Sequence, residues 1–197
     1  MRKIIVLFFG LIFIFAQVKT GAEIKKYDIK SGIITYNYTT KMGNFSLPPQ
    51  KITVYFDDYG MKECKDTYNG KVLNKSYFSD GSDIYQVGYA HKTASKQGKA
   101  YSGTELRVSW DEFSNQDIKA GKVKKAPGMT IAGKNCEVFI INDGKGQITK
   151  LAGYKGVLMM IELNSSSTYS LVKAVSFQEN VEVPADKFKV PAGFKIK

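Results

Sequence analysis

Three dipeptides punctuate this chain, Asn69-Gly70, Asp80-Gly81 and Asp143-Gly144, and they restrict its fold more than any other feature. Tight hairpin turns need residues at positive φ, which Asn, Asp and Gly adopt at low cost. Around the turns lie β-branched and aromatic runs. Ile34-Thr35-Tyr36-Asn37-Tyr38 and Ile52-Thr53-Val54-Tyr55-Phe56 have the composition of half-buried strands. Residues 61–68, 71–78 and 83–89 read as successive strands, and 135–142, 147–151, 157–163 and 168–179 continue the series. Strands joined by tight turns pair antiparallel, so the expectation is a mainly β (α+β) fold on one large antiparallel sheet.

One segment departs from this rhythm. Ser109-Trp110-Asp111-Glu112 fits a capping box, in which a Ser hydroxyl meets a free amide and the Glu three residues on reaches back. A helix is predicted to start there and to stop at Gly121, before the basic stretch 122–125 and Pro127. Trp110 and Phe113 share one face of it, with Ile118 close by, and would pack the insert onto the sheet or lid a cavity. The chain closes in VPADKFKVPAGFKIK. Pro184 and Pro191 cannot donate to a ladder, so the segment between them reads as a short edge strand that ends the sheet. In that reading Phe188 and Val190 face one side while Lys187 and Lys189 face water.

At the other end, MRK precedes the apolar run IIVLFFGLIFIFAQV. This has the pattern of a secretory signal and is shorter than the roughly 20 apolar residues of a spanning helix. Small residues in Thr20-Gly21-Ala22 point to cleavage before Glu23, leaving 1–22 as signal peptide and 23–197 as a single β-rich domain without a stable transmembrane anchor. The formal net charge is +11; Arg2, Lys3 and Lys19 leave with the signal, so the mature chain carries +8. The lysines are scattered rather than gathered in a stripe beside stacking aromatics, which argues against nucleic acid as a partner. Export to an oxidising compartment makes Cys64 and Cys136 the candidates for one disulfide, with two buried thiols as the alternative.

Catalytic chemistry finds little footing. His91, the single histidine, stands where a strand gives way to a polar stretch through Lys99 and reads as a loop residue. One His and two distant Cys do not supply the ligand spacing of a metal site, so no metal is expected. There is no G-x-S-x-G elbow, and Asp57-Asp58 reads as a turn after a strand rather than a two-carboxylate glycosidase pair. Gly144-Lys145-Gly146 belongs to a hairpin and lacks the ending of a phosphate loop, so no nucleotide or other cofactor is implied. The expectation is a protein that is not an enzyme.

The opening strand IKSGIITYNY at 29–38, the long meander broken by a helical insert, and the closing VPADKFKVPAGFKI at 183–196 resemble a family of secreted bacterial proteins. That family is similar to the superfamily of periplasmic lipoprotein carriers and outer-membrane lipoprotein receptors. The resemblance implies a strongly curved antiparallel half-barrel, an unclosed barrel with helices on its concave face, which can hold acyl chains. It also implies an exported protein of the periplasm or extracellular space, with a lipid, a lipoprotein or an envelope polymer as partner. On such a sheet, Tyr36, Tyr38, Val54, Phe56, Met159 and Ile161, with Trp110 and Phe113 from the insert, would line a cleft for a lipid or other apolar ligand. In the alternative reading, an envelope structural or protein-interaction domain, the same residues simply fill the core.

Overall fold

The computed structural model describes residues 25–100 and 107–197. The expected signal segment and its cleavage site lie outside the described residues. After a short N-terminal leg come β1 (Gly32–Met42), β2 (Phe45–Ser46), β3 (Gln50–Asp57), β4 (Lys62–Asn69), β5 (Val72–Ser79), β6 (Asp83–Gly88) and β7 (Thr93–Lys99). The insert holds a 3-10 turn, Trp110–Glu112, and one short helix, α1 (Asn115–Lys119). Then follow β8 (Val123–Ile131), β9 (Lys134–Asn142), β10 (Ile148–Tyr154), β11 (Val157–Asn164), β12 (Thr168–Glu179) and β13 (Lys195–Ile196). All join one unclosed sheet in the order β13-β7-β6-β5-β4-β3-β1-β12-β11-β10-β9-β8, with β2 appended to β1. Every pairing is antiparallel except β13 on β7.

Each strand expected between residues 34 and 179 is present. Two strands sit where loops were read, and both have physical reasons. In β7 the run Thr93-Ala94-Ser95-Lys96-Gln97-Gly98-Lys99 buries only Ala94, so it carries no alternation. In β8, Pro127 and Gly128 fall at a register shift between Ala126 and Met129, where the ladder skips the residue that cannot donate. Two-residue hairpins also form at Ala132-Gly133 and Lys155-Gly156, all four residues at positive φ, beside the one at Gly70-Lys71 that follows the flagged Asn69.

The sheet is packed on both faces. In an antiparallel sheet, directly opposed residues point to the same side. The register therefore lines up Tyr38, Val172, Ile161, Leu151 and Phe139 across β1, β12, β11, β10 and β9. The insert docks on this face: Phe113 and Trp110 contact the Phe139 ring at centroid distances of 5.2 and 6.0 Å. Val108 enters over Gly153, where a Cβ would clash with the Val108 backbone and side chain. In β9 to β11 the alternate residues Val138, Ala152 and Met160 point to the other face and still belong to the main core cluster, which β1 and β3 build from the face of Tyr36, Val54 and Phe56.

The helix begins later than the capping box predicts. Ser109 makes no side-chain cap bond, whereas Ser114 Oγ accepts from the Asp117 amide at 3.1 Å and donates to its carboxylate at 2.6 Å. Between them Phe113 is extended, which turns its ring into the sheet, and Glu112 is drawn toward Arg107 Nε at 3.6 Å. Gly121, at φ +68°, ends the helix as expected.

The closing segment is a strap. Residues 185–188 form a 3-10 turn, not an edge strand, and Phe188 is buried against Cys64, Phe78, Val87 and Ala94. Lys187 does not face water: its Nζ lies 2.7 Å from Asp66 Oδ2 and 4.3 Å from the Tyr55 ring centroid. The reason is Asp66, 1% exposed, whose charge needs a partner in the core. Sheet termination passes to β13, paired with β7.

The expected disulfide is absent. Cys64 and Cys136 are both free and buried, on β4 and β9, with β3, β1, β12, β11 and β10 between them in the sheet. A bridge needs Cα atoms within about 7 Å, and the two thiols sit in separate apolar clusters. Burial, then the Asp66 charge, pushes the Cys64 thiol well above its ordinary value; burial raises that of Cys136 too.

Candidate functional site: the inner apolar strip

The eight residues expected to line a cleft divide into two groups. Tyr36, Val54, Phe56 and Met159 are buried together in the main core, with Phe56 and Met159 fully enclosed. The Tyr36 hydroxyl donates to the Leu158 carbonyl at 2.7 Å, so its polar tip serves the sheet rather than a cavity mouth. Phe56 packs edge-on against Tyr27 at 4.8 Å and covers Gly32, where any Cβ would meet the ring. Phe113 is buried between Trp110 and Phe139.

Tyr38, Trp110 and Ile161 are only half-buried. Tyr38 and Ile161 are linked in register through the half-buried Val172, on the face that carries the insert. They form an apolar strip between two closed clusters: the main core beyond Tyr38, and the Phe113, Phe139, Leu151 and Val123 cluster beyond Ile161. Trp110 stands at the latter end with Lys125 Nζ 5.1 Å over its ring, and Lys125 is the register partner of Phe139 on β8. Val172 escapes sequence reading, because the long strand 168–179 alternates irregularly; a register shift falls opposite Thr35 and Tyr36.

A separate open groove of about 250 Å³ lies at the β8 irregularity, lined by Gly128, Met129, Thr130, Asn135 and Cys136. None of the eight expected residues lines it.

A charged network borders the core on the strip's face. Phe56 and Glu63 are opposed in register, and the Glu63 carboxylate accepts from Lys26 Nζ and from the Tyr27 hydroxyl, each at 2.7 Å. Burial pushes the Glu63 carboxyl up, but the Lys26 charge and these two hydrogen bonds outweigh it and hold it below the ordinary carboxylate range. Burial and the neighbouring Glu63 charge raise the Tyr27 and Tyr36 phenols. These groups are saturated by one another and serve packing. His91 is exposed in the turn after β6, and Asp57 accepts the Asp58 amide in the turn after β3, as expected for turn residues. Among the described residues no three His, Cys, Asp or Glu side chains gather as metal ligands.

Solved structures place this architecture among known folds. An uncharacterized conserved protein from Thermus thermophilus aligns at TM-score 0.56 and 5% identity, over 86% of this chain and 91% of that one. A chain of the Pseudomonas aeruginosa MucA/MucB complex aligns at TM-score 0.51 and 11% identity, over 85% of this chain and 58% of that one. A LolA superfamily protein from Nitrosomonas europaea aligns at TM-score 0.41 and 10% identity, over 85% and 93% of the two chains. At these identities the likeness is one of fold. No family model matches the sequence, and comparison with curated proteins finds no match.

Proposed function

We propose that this chain is an exported, non-catalytic binding module of the bacterial envelope, whose ligand is an acyl chain or comparable apolar group laid along Tyr38, Val172 and Ile161 against Trp110. One observation carries the reading: an apolar row left half-exposed between two closed clusters on the insert-bearing face. Tyr38 and Val172 pack against the main core and Ile161 and Trp110 against the insert cluster, and the part of each that stays exposed is what an apolar ligand would bury. The insert supports it further, since Trp110 offers the ligand an apolar ring and Lys125 brings a cation to the same place. Export fits the signal-like residues 1–22, and among the described residues no helix is long and apolar enough to cross a membrane.

A protein partner is the second reading, supported by the MucA/MucB complex on a similar fold. There the strip would receive apolar side chains of a partner peptide. Native mass spectrometry of protein purified from its own envelope tests both. A mass increment of a single lipid supports the first reading, and a co-purifying polypeptide supports the second. The bare chain mass under conditions that preserve lipid complexes would overturn both.

A further inference from the structure

The β1–β2 arm carries a second surface that the strip does not use. In β1, Met42 is opposed to Phe45 of β2, and both are exposed, Phe45 at 62%. Leu47 follows, also exposed, its amide bonded to the Thr40 carbonyl. Register sets Ser46, Lys41, Tyr169, Asn164, Ile148 and Asn142 in one row across six strands, so Ile148, 47% exposed, lies at the same end of the sheet. The arm is tied to the neighbouring β11–β12 turn by the Gly43 amide on the Ser167 carbonyl at 2.9 Å. The apolar residues thus sit together at one end of the sheet, in or beside its turns.

Their neighbours are basic. Lys41 shares the face of Tyr169 and Ile148, and one further row on that face holds Lys51, Asn37 and Lys173. Lys150 is on it too, opposed to Glu162, and Lys145 occupies the β9–β10 turn. The acidic groups at this end are Glu162, Asp143 and Asp117; Asp143 is spent on the Lys145 and Gln147 amides of its own turn, and Asp117 is paired with Lys122 at 3.2 Å beside Asn142. Among the described residues none of Lys41, Lys145, Lys150 and Lys173 is in an ion pair. The bridges Lys26–Glu63, Arg107–Asp28, Lys134–Glu179, Lys155–Glu179 and Lys96–Asp83 gather toward the opposite end of the sheet.

We infer that the β1–β2 arm docks the protein on an anionic lipid surface, with Phe45, Met42 and Leu47 entering the headgroup region and Lys41, Lys51 and Lys173 facing the phosphates. A projecting apolar tip backed by unpaired lysines matches an interface that is apolar inside and negative at its surface.

The test is co-sedimentation of the mature protein with vesicles of phosphatidylcholine containing about one quarter phosphatidylglycerol, beside pure phosphatidylcholine. Binding to the anionic vesicles is expected to be at least tenfold tighter and to weaken in high salt. The variant Met42→Ser/Phe45→Ser is expected to lose it while unfolding at the wild-type temperature, since both side chains are exposed. Lys41→Glu/Lys173→Glu should lower binding to anionic vesicles alone. Equal binding by wild type and Met42→Ser/Phe45→Ser, or no vesicle binding by wild type, overturns the inference. Concentration-dependent self-association abolished by Phe45→Ser would assign the tip to a second copy and overturn it as well. Trp110 responses to a soluble acyl ligand should be unchanged in these variants, so the strip and the arm stand or fall separately.

Discussion

Lys187 and Asp66, 121 residues apart in sequence, meet at 2.7 Å and pin the C-terminal strap to the middle of β4. Asp66 also accepts from Ser76 Oγ at 2.5 Å and from Cys64 Sγ at 3.4 Å. Burial disfavours the Lys187 ammonium, but the Asp66 hydrogen bond and charge outweigh it and raise the Lys187 pKa. A raised lysine contributes stability that is fully present below its unfolded value and is lost as pH climbs through the folded one. Strap docking should therefore persist through neutral pH and weaken only in strong alkali.

Lys187→Met tests this contact. It removes the cation and leaves Asp66 enclosed, a loss of about 3 kcal/mol by analogy with other broken buried pairs, at the low end because Lys187 is partly exposed. Hydrogen exchange should show β13 and β7 amides opening first, with β9–β11 unchanged. Uniform loss of protection across the sheet would contradict a locally pinned strap.

Intact-mass measurement after alkylation in denaturant without reductant should find two labels, one each on Cys64 and Cys136. In the native state both should react slowly, because burial keeps the thiols protonated.

Acid should destabilise the fold through Glu63. Its carboxyl is held below the ordinary value, so its contribution is present above the unfolded pKa and fades as pH falls through the folded one. Glu179 is lowered in the same sense, chiefly by Lys134. Thermal unfolding of Glu63→Gln should occur at a lower temperature than wild type at pH 7, and the gap should narrow below about pH 4. A gap that does not change with pH would contradict a carboxylate role.

The architecture was legible because strand periodicity and turn chemistry agree along most of the chain. Ile34, Tyr36, Ile52, Val54 and Phe56 declared their shared face by alternation alone. Three things were hidden. The positive-φ turns at Ala132-Gly133 and Lys155-Gly156 use residues without a turn signature, because the Gly that follows and the paired strands fix the conformation. Helix onset was misread because two successive Ser-x-x-acid patterns, at Ser109 and Ser114, compete, and burial of Phe113 between them decides for the second. Lys187 looked like a solvent lysine because its partner lies 121 residues away. The Tyr38–Val172–Ile161 strip depends on register between strands distant in sequence, which no local pattern encodes.

Docking of the insert rests on Phe113 more than on Trp110. Phe113→Ala should cost about 3 to 4 kcal/mol, whereas Trp110→Ala should cost roughly half that because the ring is half-exposed. Gly153→Ala should displace Val108 and lower stability by about 1 to 3 kcal/mol. Denaturant unfolding of the three variants ranks them, and a larger loss at Trp110 than at Phe113 would contradict the packing described.

Trp110 is the only tryptophan, so its emission reports on the strip alone. Titration of the protein with a spin-labelled fatty acid should give saturable quenching, weakened at least about tenfold by Ile161→Asp, a change that puts a charge in the strip while the fold survives by circular dichroism. Quenching no greater than that of free tryptophan, or saturable quenching untouched by Ile161→Asp, would contradict a ligand along Tyr38, Val172 and Ile161.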